Sequence, residues 1–183
     1  MRLILDVDGV VCNFVQGMIE FADEVGDPIP DTCCWKDVDT YHFFGGWDNA
    51  LWKQIANDSY FWMNLKRMPR VRHTMITNGI WPDMYLTARP VGSHITGQWI
   101  QKEMLPVAGV ITVDRPEDKM EHLRPGDVFV DDHPKTVRMA QEMGVKAILM
   151  RAPFHRGVDA AELEGLAAIS CLSEIVSLIN NQH

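Results

Sequence analysis

Leu3, Ile4 and Leu5 make an unbroken apolar run, and the chain turns polar directly after it, at Asp6-Val7-Asp8-Gly9. An apolar run without alternation predicts a short strand buried on both faces. Beyond Phe14 the period changes. Val15, Met18, Ile19, Ala22 and Val25 fall near helical spacing and predict an amphipathic helix over 15–25, stopped by Gly26, Pro28 and Pro30. The texture from 31 to 60 is different again: dense in large aromatics and broken by Gly45-Gly46, with Asp48 set to cap a helix over 50–56. Pro69 suits the first turn of a helix running to Asn78, with Gly79 as its stop.

From Met84 onward the apolar runs are short and regularly spaced. Strands are expected at 84–86, 110–113, 128–130 and 145–150. Helical stretches lie between them. One is N-capped by Ser93 and carries Ile95, Trp99, Ile100 and Met104; a short helix or turn covers 116–123; another spans 134–143 and stops at Gly144. Two more helices, near 160–168 and 172–180, close the chain. Strands alternating with helices predict parallel βαβ units, hence an α/β fold with a doubly wound, Rossmann-like parallel sheet.

Composition narrows the picture. With 183 residues, 46% of them hydrophobic, the chain can bury a substantial core as one domain with an insertion. A net charge of −8 is a poor footprint for tracking a nucleic-acid backbone, so no polymeric nucleic-acid partner is expected; a local basic pocket can still take a small anion. No apolar run is long enough for a bilayer, so no membrane partner is expected, and the first strand begins at once without a signal-peptide pattern. Cys12, Cys33, Cys34 and Cys171 form no CxxC pair. Free thiols in a reducing cytoplasm are the expectation, with a redox role for tandem Cys33-Cys34 as the lesser alternative. A homodimer is compatible with the sequence, which leaves the oligomeric state open.

Three strands end in site-like polar residues: Asp6 and Asp8, Thr87, and Asp131-Asp132. In a parallel sheet all carboxyl ends lie along one edge, so these residues are expected to converge. Four carboxylates there would repel one another; a hard divalent cation resolves this, and oxygen-only ligation suits Mg²⁺. The Thr87 hydroxyl and nearby Lys119 suit a phosphate. Asp6 can then attack phosphorus and become an aspartyl phosphate, while Asp8 protonates the leaving group and later deprotonates water. Blander readings stand beside these. Thr87 alone is a strand-end hydroxyl, Lys119 alone a surface lysine, and Asp131 or Asp132 a cap for the helix near Pro134. Arg89 either contacts phosphate or pairs with an acid of the insertion. His42, His94, His133 and His155 are scattered and enter no metal set. The basic run Lys66, Arg67, Arg70 and Arg72 reads as a solvated helix face.

Asp6-Val7-Asp8-Gly9-Val10, Thr87, Lys119 and Asp131-Asp132 resemble, in order, the four motifs of the haloacid dehalogenase superfamily of phosphohydrolases, and the resemblance covers essentially the whole chain. It implies that Asp6 is the nucleophile and Asp8 the general acid/base. Thr87, Ala88 and Lys119 hold phosphate. Asp6, Asp8 (through its carbonyl), Asp131 and Asp132 serve the Mg²⁺, with Asp132 favoured as a direct ligand. It also implies a core of 1–14 and 66–183 with a helical, aromatic-rich cap over 15–65. Two local matches, Asn13-Phe14 after the first motif and Tyr60-Phe61-Trp62-Met63-Asn64-Leu65 before Met68-Pro69, resemble the 5'(3')-deoxyribonucleotidase family. The implied substrate is a small phosphorylated molecule, a nucleoside monophosphate above a sugar phosphate or phosphorylated cofactor; a non-catalytic phosphate binder is the rival from another class. Most aromatics of the insertion are expected in its core. Phe14, Phe43, Phe44 and Trp47 are the candidates, with Arg89, for touching the substrate.

Overall fold

The computed structural model describes residues 1–29, 34–38 and 50–180. Six parallel strands form one sheet: β1 (Leu3–Leu5), β2 (Met84–Thr87), β3 (Gly109–Thr112), β4 (Val128–Asp131), β5 (Lys146–Met150) and β6 (Ala168–Ile169). Their spatial order is β3-β2-β1-β4-β5-β6. The chain thus builds outward from β1 in one direction and returns to β4 to build in the other. That reversal puts a topological switch point between β1 and β4, where open α/β sheets form their ligand crevice.

Alternation along the strands divides the core in two. Leu5, Tyr85, Val128, Val130, Ile148 and Met150 belong to one apolar cluster, while Ile4, Met84, Leu86, Phe129, Ala147 and Leu149 belong to another. The period of two sends successive side chains to opposite faces, so both faces need a cover. The first cluster takes in side chains of α1 (Phe14–Glu24), α2 (Ala50–Ile55), α3 (Ser59–Asn64), α4 (Val71–Thr77), α5 (Ser93–Lys102) and α8 (Glu174–Asn180). The second is covered by α6 (Pro134–Glu142), through Val137 and Ala140.

Several elements differ from the sequence-based expectation. Ser93 is the first residue of α5, not its cap; Gly92 takes that place. The Ser93 hydroxyl is engaged by β3 instead, 3.0 Å from the Thr112 hydroxyl and accepting from the Thr112 N–H at 3.1 Å. The helix expected over 160–168 is only α7 (Ala160–Leu163): Gly165 turns the chain at φ +75, and Ala168–Ile169 pairs with β5 as an edge strand. Two residues are too short a run for periodicity to announce. The basic run is more engaged than a solvated face would be. Arg67 pairs with Glu103 at 2.7 Å, and the Arg72 Nε donates to the Met104 carbonyl at 3.1 Å. Asp48, Tyr41, Phe43, Phe44, Trp47, Cys33 and His42 lie outside the described residues. Cys12, Cys34 and Cys171 are free thiols.

The chain leaves the sheet after β1 and returns at 66–68, and the outgoing and returning segments pair. The Asn13 N–H donates to the Lys66 carbonyl at 2.9 Å, and the Met68 N–H to the Val11 carbonyl at 2.8 Å. The Trp99 indole N–H of α5 donates to the Leu65 carbonyl at 2.8 Å. Asp58 caps α3 by accepting from the Tyr60 N–H at 2.9 Å. Trp62 and Phe61 of α3 are buried in the same apolar cluster as Leu5 and Tyr85, so the inserted helices and the sheet share one continuous core.

Candidate active site

Asp6 stands one residue past β1, with its N–H still in the ladder, donating to the Val130 carbonyl at 2.8 Å. Its carboxylate is therefore rooted in the sheet. The chain then doubles back: Gly9 takes φ +74, a left-handed conformation that favours glycine, and the Val11 and Cys12 N–H groups both donate to the Val7 carbonyl. This tight loop sets Asp8 beside Asp6.

Asp131, the last residue of β4, is fully buried with both oxygens engaged. Oδ2 accepts from the Lys119 ammonium at 2.7 Å, and Oδ1 accepts from the His133 N–H at 2.7 Å. It therefore anchors a lysine and also steadies the entry to α6. Lys119 comes from a 3-10 turn over Pro116–His122 and lies 3.0 Å from Oδ1 of Asp6. That contact is ionic: no protein donor among the described residues is aligned with this buried oxygen. Thr87 is buried at the end of β2.

Asp6, Asp8, Thr87, Lys119, Asp131 and Asp132 all line one cavity of about 120 Å³, with Ala88, Phe14 and Phe154 also in its wall. The expected convergence at the sheet's carboxyl edge is thus the observed arrangement. Arg89 is placed differently. It is absent from the cavity wall, and its buried guanidinium holds Asp8 from behind. Phe14 is buried against the insertion, stacked on Trp62 with ring centroids 5.6 Å apart and planes 9° apart.

The electrostatics are those of an anion-rich site with the Lys119 ammonium inside it and the Arg89 guanidinium behind Asp8. Burial pushes the Asp6 carboxyl up to about 7; Asp131 and Asp8 add to this and Lys119 opposes it. Burial pushes Asp132 up as well, reinforced by Asp131 and Asp6. Burial alone would pull the Lys119 ammonium down, but Asp131 and Asp6 together hold it above its ordinary value. One ammonium among these carboxylates leaves negative charge in a poorly solvated place. Ligand atoms of Asp6, Asp131 and Asp132 lie within 4.8 Å of one another, an all-oxygen set that fits a hard divalent cation. The unaligned oxygen of Asp6 supports that fit.

Sequence reasoning missed two supports. His155 Nδ1 accepts from the Ala152 N–H at 3.1 Å, so its Nε2–H donates to the Asp132 carbonyl at 2.7 Å. Burial lowers this imidazole, in keeping with the neutral form that this pairing requires. His155 braces the loop that carries Asp132. The second support is the Trp62–Arg89–Trp99 stack behind Asp8. Neither carries a local signal, because each depends on elements distant in sequence.

No model of a known protein family matches the chain. Comparison with solved structures defines the class by fold. The L-2-haloacid dehalogenase of Xanthobacter autotrophicus with chloropropionic acid covalently bound superposes with TM-score 0.62 at 12% identity, over 99% of this chain and 98% of that one. A haloacid dehalogenase-superfamily hydrolase of Geobacter sulfurreducens gives 0.59 at 21% identity, over 96% and 97%. A phosphonoacetaldehyde hydrolase-like protein of Oleispira antarctica gives 0.55 at 12%, over 98% and 91%. The chain has the fold of the haloacid dehalogenase-like hydrolases. Among curated proteins, it is 25% identical over 174 residues to "Putative nucleotidase BH1399" of Halalkalibacterium halodurans, covering 85% of this chain and 82% of that protein.

Proposed function

We propose that this protein is a Mg²⁺-dependent phosphomonoesterase that works through a phospho-Asp6 intermediate on nucleoside monophosphates, in the manner of the 5'(3')-deoxyribonucleotidases. The observation that carries this reading is the meeting of Asp6, Asp131 and Asp132 with Lys119 and Thr87 in one cavity. A phosphoryl group needs an attacking carboxylate, donors for its oxygens and relief of its charge, and this set offers all three. Asp6 attacks phosphorus through a carboxylate oxygen. The P–O bond to the leaving group breaks, and the leaving oxygen takes a proton from Asp8. Water then attacks the phosphorus of phospho-Asp6 and gives its proton to Asp8; Asp6 departs as carboxylate and inorganic phosphate is released. Thr87 and the backbone at Ala88 donate to phosphoryl oxygens, and Lys119 neutralises them. Asp6, Asp132 and the Asp8 carbonyl, with Asp131 beside them, would hold the cation, which would supply further charge neutralisation and in-line alignment.

Several features favour phosphate over halide chemistry. A halide leaves without a proton, so Asp8 would have no task in the first transfer, and the clustered carboxylates would hinder the attack rather than serve it. The nucleotide assignment is supported by the Halalkalibacterium relative and by the aromatic wall that Phe14 and Phe154 give the cavity. The segment 15–65 serves as a cap in this reading, and the protein works in a reducing cytoplasm as a monomer or homodimer. A panel of phosphomonoesters assayed with Mg²⁺ and with EDTA tests it. Nucleoside monophosphates should be the best substrates and EDTA should abolish turnover. Sugar phosphates outrunning every nucleotide would overturn the substrate class, and tight nucleotide binding without hydrolysis would indicate a non-catalytic binder.

A further inference from the structure

Arg89 lies two residues beyond Thr87, in the loop after β2, and its side chain is wholly inaccessible. Nε donates to Oδ2 of Asp8 at 2.8 Å and Nη2 to Oδ1 at 2.7 Å, a two-pronged fork on both carboxylate oxygens. Asp8 keeps 22% of its side chain exposed and lines the cavity; Arg89 does not. The fork therefore grips the acid from the protein side and leaves the cavity side open. It takes one lone pair of each oxygen, so another on each stays available for a proton.

The guanidinium is itself fixed by two indoles. Its central carbon lies 5.1 Å from the Trp62 ring and 5.3 Å from the Trp99 ring. Trp62 belongs to α3 of the insertion and Trp99 to α5, on opposite sides of the segment junction. Each is pinned by its own N–H, Trp62 to the Ile55 carbonyl at 2.9 Å and Trp99 to the Leu65 carbonyl at 2.8 Å. Trp62 also stacks on Phe14 at the cavity wall. Burying a guanidinium costs several kcal/mol unless it is paired, and this one is paired to a single acid that faces the cavity.

We propose that Arg89 is the positioning residue for Asp8: its fork sets the direction of the acid, and the Trp62–Trp99 clamp ties that direction to the seating of the insertion. The proposal rests on the phosphomonoesterase reading above. A freed aspartate has two side-chain torsions to explore, and only one arrangement meets the leaving oxygen. Lysine would keep the charge but not the fork.

The test compares two substrates by kcat/KM, which reports the first transfer to Asp6. A nucleoside monophosphate expels an alkoxide that needs a proton from Asp8; p-nitrophenyl phosphate expels an anion that does not. Arg89→Met should lose about 100-fold on the nucleotide, the scale of a misplaced general acid, and less than about tenfold on the aryl ester. Arg89→Lys, which keeps the buried charge, should fall between wild type and Arg89→Met on the nucleotide. Because Asp8 also serves the second step, both variants should show a burst of nitrophenol equal to the enzyme present. Trp62→Leu should shift the substrate ratio the same way by about threefold to tenfold. Equal losses on both substrates would make Arg89 merely structural and overturn the proposal, as would full activity in Arg89→Lys. An unshifted ratio in Trp62→Leu would overturn the coupling to the insertion. A wild type inert on both esters would overturn the phosphomonoesterase reading and this proposal with it.

Discussion

Gly9 and Asp132 claim the same space: a Cβ placed on Gly9 would stand 1.7 Å from Oδ2 of Asp132 and 2.3 Å from its Cγ. The first acidic motif and the last are thus packed in van der Waals contact through a residue that has no side chain. Gly9 also sits at φ +74, where any other residue is strained.

Gly9→Ala should consequently damage the site more than the fold. The strained backbone costs about 1–2 kcal/mol, while the displaced Asp132 carboxylate weakens cation binding by about tenfold or more. Mg²⁺ titration followed by the rise in Tm measures this. Unchanged affinity would show that Asp132 contributes nothing to the cation.

Lys119→Met should leave Asp6 and Asp131 buried without the ammonium that pairs with both. Breaking a buried ion pair on one side costs about 3–5 kcal/mol. The urea midpoint should fall accordingly, and added Mg²⁺ should raise it more in the variant than in wild type, since the cation takes over the missing charge. A midpoint within error of wild type in EDTA would mean that the carboxylates do not depend on Lys119.

Asp6 gives the pH dependence of stability a definite sign. Its carboxyl is raised from 3.8 to about 7 by burial, so between those values the folded chain holds a proton that the unfolded chain has released. The Asp6 contribution to the stability of the metal-free protein therefore falls as pH rises from about 4 to 7 and levels off above. Asp6→Asn should remove this part of the slope and leave that of Asp132, which burial also raises. Above pH 7 in EDTA it should be more stable than wild type by about 1–3 kcal/mol, less than the full shift because Lys119 loses a partner. It should also bind phosphate without turning over substrate. Melting curves from pH 4 to 8 check the first expectation, and activity within tenfold of wild type would end the nucleophile assignment.

The parts legible in the sequence are those with local causes. An apolar run ending in Asp6 and Asp8 announced a strand with chemistry at its tip, because a buried strand cannot end in two unpaired carboxylates without a partner. Thr87 and Asp131-Asp132 followed by the same logic once the strands were taken as parallel, since parallel strands share a carboxyl edge. Helices with a clear apolar period, α1 and α6, were legible to within a residue or two. The edge strand at Ala168–Ile169 was not, because two residues carry no period and its only determinant is the exposed flank of β5.

The sequence by itself determined which side chains would meet: their order along the chain and the strand ends that carry them leave one edge for them to share. Only the tertiary structure decided how they divide the work. That Asp131 grips Lys119, that His155 braces the Asp132 loop and that Arg89 turns away from the cavity to seize Asp8 all depend on angles between segments 12 to 81 residues apart. A side chain's identity limits the bonds it can make, but the partner that wins is the one packing brings within reach, as Trp62 and Trp99 do for Arg89.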